Sequence, residues 1–408
     1  MTTKCLFLMV ASFGGLFTAA TPALAQNWVL TSAPSNGWSS VASSADGTKL
    51  VAVNSGGIYI STNAGVGWSQ TSAPGNNWSC VAASADGTKM AAVVSADVSE
   101  GGIYTSTNSG TTWTQTGAPT NNGWTSIASS ADGTRLAAVG SGGIYTSIDS
   151  GVTWTQASAP STNWTSITSS ADGTELAAVG VALGYGGSGI CLSTNSGAEW
   201  TTNSASVLPY YYSASCIASS ADGTRLVAGV EAAGTTIYLS TNSGATWTSP
   251  SNWLSPSGIV AVASSADGTR LVAVGQAGVF YAPYWVVYTS TDSGATWTWT
   301  QSYAAPFGPA FFASSADGYF MVAASSFGGI YTLQSTPAPP LSITASGSND
   351  LISWIIPSQS FSLQQNSDLT TMNWTDVRTP PVLNLTNLEN QVIVPMPASG
   401  NAFYRLKH

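Results

Sequence analysis

The chain has 408 residues, of which 43% are hydrophobic and only 7% charged, where about a quarter is usual. Nine Lys and Arg against eighteen Asp and Glu leave a net charge of −9, which excludes the clustered basic surface that nucleic-acid phosphates require. The one histidine is His408, so the composition argues against a Ser–His–Asp triad, a Cys–His pair or a His-rich metal site.

Residues 1–25 read as an export signal. Lys4 supplies the positive start, Cys5 to Ala20 is an apolar run, and Ala23-Leu24-Ala25 is a small-residue cleavage site. The apolar run is short for a membrane span, which wants about 20 residues. The expectation is a mature chain from Gln26 that is secreted, periplasmic or held at the cell surface of a bacterium, with no membrane insertion. Three cysteines remain in it, Cys80, Cys191 and Cys216. An odd number leaves at least one free thiol, and the sequence alone does not settle their pairing.

From residue 27 to 335 the chain repeats itself. Ser-Ala-Asp-Gly occurs seven times, with its aspartate at Asp46, Asp86, Asp132, Asp172, Asp222, Asp267 and Asp317. In the third copy, four short strands are expected at Trp124–Ser129, Arg135–Val139, Gly143–Ser147 and Thr153–Ala157. They are rich in β-branched and aromatic residues and separated by Asp-Gly, Gly-Gly and Asp-Ser-Gly turns. Four strands in each unit of 40 to 50 residues is the period of a propeller blade. A second motif, Ser-x-(Asn/Asp)-x-Gly-x-x-Trp, runs between the third and fourth strands. Its copies start at Ser61, Ser106, Ser147, Ser193, Ser240 and Ser290 and end at Trp68, Trp113, Trp154, Trp200, Trp247 and Trp297.

This second motif resembles the Asp-box, or BNR, repeat of sialidases and other propellers, and the resemblance covers about residues 27–335. It implies an all-β fold, a seven-bladed β-propeller. The local logic is that Asn or Asp bonds backbone amides, Gly takes a positive φ, and Trp packs over the turn.

Seven turns but six Asp-boxes leave the seventh blade one strand short. Asn27-Trp28-Val29-Leu30-Thr31-Ser32-Ala33-Pro34 matches the fourth strand of other units, such as Trp113 to Pro119, so the N-terminus is expected to complete the last blade. Such closure removes open sheet edges. A Pro-rich linker follows at 336–340. Residues 341–408 read as a small β-sandwich with strands at Leu341–Ser346, Leu351–Ile355, Ser360–Gln364, Trp374–Val377, Gln391–Pro395 and Ala402–Leu406. The run from Ile352-Ser-Trp354 to Phe403-Tyr-Arg-Leu406 resembles modules that end many secreted bacterial proteins, which implies attachment, spacing or an end cap.

In a four-stranded meander the Ser-Ala-Asp-Gly turns and the Asp-boxes share one face of the ring. The length variation falls on the other face, in loops such as Ser95–Gly101, Val181–Gly189, Glu231–Thr235, Gln276–Trp285, Ser206–Ser213, Ser249–Ser257 and Gln301–Gly308. Binding residues concentrate on variable loops carried by a rigid scaffold. The candidate ligand-binding residues are the aromatics there: Tyr185, Tyr210, Tyr211, Tyr212, Trp253, Tyr281, Tyr284, Trp285, Tyr303 and Phe307. Their rings could stack on a sugar or anchor a protein; the alternative is that they pack the loops onto the ring.

Hydrolysis of a glycoside needs two carboxylates at one bond. The only acids expected on the variable face are Asp97, Glu100 and Glu231, on blades two and five. The Asp-box resemblance to sialidases would also imply a cluster of arginines, whereas Arg135, Arg225 and Arg270 occupy one repeat position in three blades. The expected function is a non-catalytic binding protein, monomeric, taking a glycan or a protein partner, with no nucleic acid, cofactor or metal. No ligand spacing supports a calcium site. Two alternatives stand beside it: a sialidase-like or xyloglucanase-like glycoside hydrolase, and a protein-binding assembly factor like the single-propeller photosystem factors, whose basic patch this acidic chain lacks.

Overall fold

The computed structural model describes residues 28–95, 101–160, 162–181, 189–202, 213–231, 237–250, 258–279, 282–301, 310–334, 341–355, 361–367, 374–396 and 402–407. The export signal expected at 1–25 and the linker at 336–340 lie outside them. All regular structure among the described residues is β. Among the described residues seven antiparallel sheets follow one another as a β-propeller, the first six of them meanders. Blade one is typical: Trp38–Ser43, Leu50–Asn54, Gly57–Ser61 and Ser69–Gln70, hydrogen-bonded in that order.

The ring closes through backbone alone at its axis. The alanine of each Ser-Ala-Asp-Gly turn donates its N–H to the carbonyl of the next blade's alanine. The series runs Ala45 to Ala85, Ala131, Ala171, Ala221, Ala266 and Ala316, and Ala316 donates to Ala45, all at 2.7–2.8 Å. Seven blades thus form an unbroken circle of hydrogen bonds, which satisfies donors that would otherwise be buried without partners.

Between blades the core is apolar. The first-strand tryptophans Trp38, Trp78, Trp124 and Trp164 are fully buried. In blades one to six each first strand carries a bulge just after this position, as between Trp124 and Ser126. The bulged hydroxyl reaches the neighbouring blade: Ser79 donates to the carbonyl of Trp124 at 2.9 Å, and Thr125 to that of Trp164 at 2.8 Å. Cys80 and Cys216 stand where other blades have Ser40, Ser126 and Ser166. Cys216 is buried and Cys80 is half-buried. Cys191 is buried on a third strand, and burial pushes its thiol up to about 11. None of these three cysteines is in a disulfide.

The last blade is three strands from the C-terminal end of the ring plus Val29–Leu30, which pairs with Ile330–Gln334 as Val29 opposite Thr332 and Leu30 opposite Tyr331. Blade five departs from the pattern. Its fourth strand shrinks to one bridge, Leu239 with Thr248. Pro250 is the cause: it takes the place of Thr116, whose N–H bonds Ile103 in blade two, and proline has no N–H to give. Blade six departs the other way. Within the Gln276–Trp285 segment expected as a loop, residues 276–279 and 282–285 instead extend a pair of strands, Leu271–Val279 against Ala282–Ser290.

After the ring come two further antiparallel sheets sharing one apolar cluster. One orders Ser342–Ser346, Asn349–Ile355, Glu389–Pro395 and Val382–Asn384; the other orders Thr375–Asp376, Ser362–Asn366 and Phe403–Lys407. Ile352, Trp354, Leu363, Val392 and Val394 are buried between them. The short strand Val382–Asn384 is absent from the sequence reading, because Pro380-Pro381 masks its start.

Candidate functional site

The repetitive face is built from two interlocked turns. In the first, Asp46 Oδ1 accepts from the Ser44 hydroxyl at 2.6 Å, from the Thr48 amide at 3.0 Å and from the Thr48 hydroxyl at 2.9 Å. The serine and amide bonds recur at Asp86, Asp132, Asp172, Asp222 and Asp267, and at Asp222 the threonine hydroxyl donates to Oδ2 instead. At Asp317 the threonine is replaced by Tyr319, and the serine and amide bonds remain. In the second turn, Ser147 donates to Asp149 at 2.8 Å, Gly151 N–H donates to Ser147 at 2.9 Å, and Thr153 N–H donates to Asp149 at 2.9 Å. Asn63, Asn108, Asn195 and Asn242 accept the corresponding amide bond through Oδ1.

One feature of the second turn has no signature in the sequence. The residue before the glycine is also left-handed: Ala64, Ser109, Ser150, Ser196, Ser243 and Ser293 have φ of 52–60°. Each gives its N–H to the threonine carbonyl of the first turn, as Ser109 to Thr88 at 2.8 Å. This bond holds the two turns together on one face, and the strain of a non-glycine residue there is the cost.

Basic residues then couple blade to blade. Lys49 donates to Ser109 and Lys89 to Ser150, each at 3.3 Å, and Arg135 and Arg225 reach Ser196 and Ser293. Their stems lie over the next blade's turn glycine. A Cβ on Gly133 would meet Lys89 Cβ at 2.7 Å, so the repeat needs glycine there for space as well as for its φ of 67°. Arg270 faces blade seven, which lacks the second turn motif, and stacks on Tyr319 with its guanidinium 3.8 Å from the ring centroid. The three arginines therefore serve three separate junctions.

Glu175 breaks this series. Burial and the Asp172 charge push its carboxyl above the ordinary value, and it stands where Lys or Arg would reach Ser243. Glu175→Arg should stabilise the protein by about 0.5–1 kcal/mol, a gain held down because the site is largely solvated. The check is thermal melting of the two proteins at pH 7, where the variant should melt about 1–2 °C higher; an unchanged or lower Tm would refute the coupling role.

On the opposite face most of the sequence-derived candidates, Tyr185, Tyr210, Tyr211, Tyr212, Trp253, Tyr281, Tyr303 and Phe307, lie outside the described residues, as do Asp97 and Glu100. Tyr284 lies in the third strand of blade six, opposite Ala277. Glu231, expected in a loop, ends the strand Leu226–Glu231 opposite Ser213. Trp285 is half-buried and packs against a cluster that includes Val274 and Val287 of its own blade and Met321 and Leu333 of the next. The structure thus gives Trp285 a packing role at the junction of blades six and seven. An aromatic that the sequence reading passed over is fully presented instead. Phe327, in the turn after Phe320–Ser325, is 76% exposed, and its N–H is held by the Ser325 hydroxyl at 3.2 Å. Its signal is a one-residue insertion, Ser325-Ser-Phe-Gly-Gly329, where blade one has Asn54-Ser-Gly-Gly57.

Among the described residues no three His, Cys, Asp or Glu side chains gather where they could hold a metal ion.

The sequence model of the family described as DUF6242 beta propeller domain matches residues 93–365, from the second strand of blade two into the C-terminal sheets. No curated protein sequence matches significantly. Solved structures with the same fold include the GH74 xyloglucanase of Xanthomonas campestris, at 13% identity and a TM-score of 0.55 over 86% of this chain and 59% of that one. An ancestral GH74 enzyme matches at 15% identity and a TM-score of 0.53, over 85% of this chain and 52% of the enzyme. The chain therefore corresponds to little more than half the length of these GH74 enzymes. YCF48 bound to D1 peptide matches at 17% identity and a TM-score of 0.54, over 78% of this chain and 99% of that one. At these identities the likeness is one of fold.

Proposed function

The chain belongs to the family described as the DUF6242 beta propeller domain, and on that footing we propose that it is an exported, monomeric, non-catalytic binding protein. Its ligand sits on the aromatic face of blades four to seven, opposite the Asp-boxes. The observation that carries this reading is the use made of the acids. Each of the seven turn aspartates, and both Asp-box aspartates, is committed to hydroxyl and amide bonds that shape the ring. A glycosidase needs two carboxylates placed at one bond, and these nine are spread around seven blades.

A glycan is the preferred ligand, since exposed rings match the apolar faces of sugars. The second reading, a protein or peptide ligand in the manner of an assembly factor, is supported by coverage. This chain spans 99% and 98% of two YCF48 structures but only about half of the GH74 enzymes.

Affinity electrophoresis of residues 26–408 through gels containing a panel of polysaccharides tests the proposal. Retardation on one of them, without loss of chain length in that polysaccharide, is the expected result. Phe327→Ala should weaken the retardation by about tenfold, the worth of about 1.4 kcal/mol, with an unchanged melting temperature because its ring is solvated. Trp285→Ala, by contrast, should lower the melting temperature. Retardation by no polysaccharide moves the reading to a protein ligand, and cleavage of the bound polysaccharide overturns the non-catalytic role.

A further inference from the structure

We propose that the axial mouth of the ring, on the face of the Ser-Ala-Asp-Gly turns, is a socket capped in this protein by its own Leu388, so that the C-terminal sheets close that end of the channel. The inference is independent of what binds the opposite face.

The socket follows from the repeat. The alanines that close the backbone circle line a cavity of about 170 Å³, together with the serines that precede them, and Leu388 lines it too. The polar groups of the wall are already used. Ser44 and its equivalents donate to the turn aspartates, while Ser43, Ser129, Ser169, Ser219, Ser264 and Ser314 each donate to the carbonyl of the following residue. What faces the axis is therefore a mixed wall of alanine methyl groups and serine oxygens whose protons are already committed, and it is the methyl groups that an apolar side chain can pack against.

The plug is shaped for the position. Leu388 ends the turn that joins Val382–Asn384 to Glu389–Pro395, and it packs against Ala131, Ala171 and Ala221 on one side and Ala45 and Ala316 on the other. Its φ is 56°, a left-handed backbone that a bulky residue adopts at a cost in free energy. The turn is pinned by Thr386 N–H to Asn384 Oδ1 at 2.9 Å and by Asn387 Nδ2 to Glu389 Oε2 at 2.8 Å. Glycine or asparagine would suit this backbone better. A leucine there is accounted for by the packing of its half-buried side chain against the alanines of the socket. Seven equivalent alanines cannot fix a rotation about the axis. Ile355 and Leu383 supply that off-axis contact, packing where Ala45 and Ala316 meet, beside Ala85 and Ala266.

The test separates the plug from the turn. Leu388→Gly relieves the backbone and keeps the turn but removes the side chain; Ala171→Glu puts a charge in the socket and leaves the C-terminal sequence untouched. Both are made in residues 26–408, with Val382→Ser on the exposed side of the same sheet as the control. The readouts are the rate at which a protease separates the ring from the C-terminal sheets and the radius of gyration by X-ray scattering. Both variants should speed separation by about tenfold or more and enlarge the particle, with the control unchanged. Parental behaviour of Ala171→Glu, or a Leu388→Gly protein cut no faster than the parent, overturns the proposal.

Discussion

Deletion of residues 28–34 is expected to turn the protein into an aggregating one, with a loss of several kcal/mol from the ring. The segment does three things at once. Val29 and Leu30 pair with Thr332 and Tyr331, and Thr31 N–H bonds Ile330 at 2.9 Å. Trp28 meets Phe312 edge to face at 5.7 Å between centroids. Ser32 donates to the Val66 carbonyl of blade one at 2.7 Å, and Ala33 packs in the cluster of Trp38 and Trp68. The segment therefore joins blade seven to blade one as well as completing blade seven. Without it the strand Ile330–Gln334 becomes an open edge. Size-exclusion chromatography and melting of the shortened chain decide the matter. Trp28→Ala is the milder test, expected to cost about 2–3 kcal/mol because the ring is only partly buried. A shortened protein that stays monomeric with its parental melting temperature would show that the clasp contributes nothing to closure.

The clasp was legible in the sequence because it copies a fourth strand residue by residue. Thr31, Ser32 and Ala33 repeat Thr71, Ser72 and Ala73, and the copies make the same bonds: Ala33 N–H to the Thr31 hydroxyl and Ala73 N–H to the Thr71 hydroxyl, each at 3.3 Å. The blade strands were legible for the same reason, since a repeat shows its pattern many times over. What the sequence hides is whatever the backbone does without a matching side-chain choice. The alanine circle is made of N–H and C=O groups common to every residue. The left-handed serines of the Ser-x-(Asn/Asp)-x-Gly-x-x-Trp turns carry no glycine to announce them. In blade six, Gly278 and Pro283 read as loop, yet the valines and aromatics around them complete a ladder whose pairing only the fold reveals. The candidate site is less legible than the ring. Rings can be read from composition, but Trp285 and Phe327 differ in what covers them, and that depends on neighbours from another blade. Leu388 gave no signal at all, because its partners lie more than 70 residues away along the chain.

Acid should undo this ring by a route that can be traced to its turns. Burial works against ionisation at Asp86, Asp132, Asp172, Asp222 and Asp292, but the serine and threonine bonds outweigh it and hold each carboxyl below its ordinary value. A neighbouring basic residue adds to this at the first four. At Asp149 the Thr153 hydroxyl and amide and the Ser147 hydroxyl bring it down to about 2. The sign follows from linkage. A carboxyl with a depressed value in the folded chain binds its proton less readily there than in the unfolded chain. Its contribution is complete above the unfolded value of about 3.8 and is lost as pH falls through the folded value. Glu175, raised by burial and Asp172, acts with the opposite sign and recovers a little stability as it protonates. With one histidine in the chain, the melting temperature should be nearly flat from about pH 8 to 5 and then fall steeply between about pH 4 and 2. The Ser-x-(Asn/Asp)-x-Gly-x-x-Trp turns provide the control. Four of them use asparagine, whose Oδ1 takes the same amide bond and whose Nδ2 replaces the acceptor, as Asn108 does towards Thr112 at 2.9 Å. The double variant Asp149→Asn, Asp292→Asn should therefore keep its melting temperature at pH 7 and lose less of it at pH 2.5 than the parent. An acid profile identical to the parent's would mean that these two turns carry no part of the pH dependence. A parent flat down to pH 2 would mean that the turn carboxylates do not stabilise the ring through their charge.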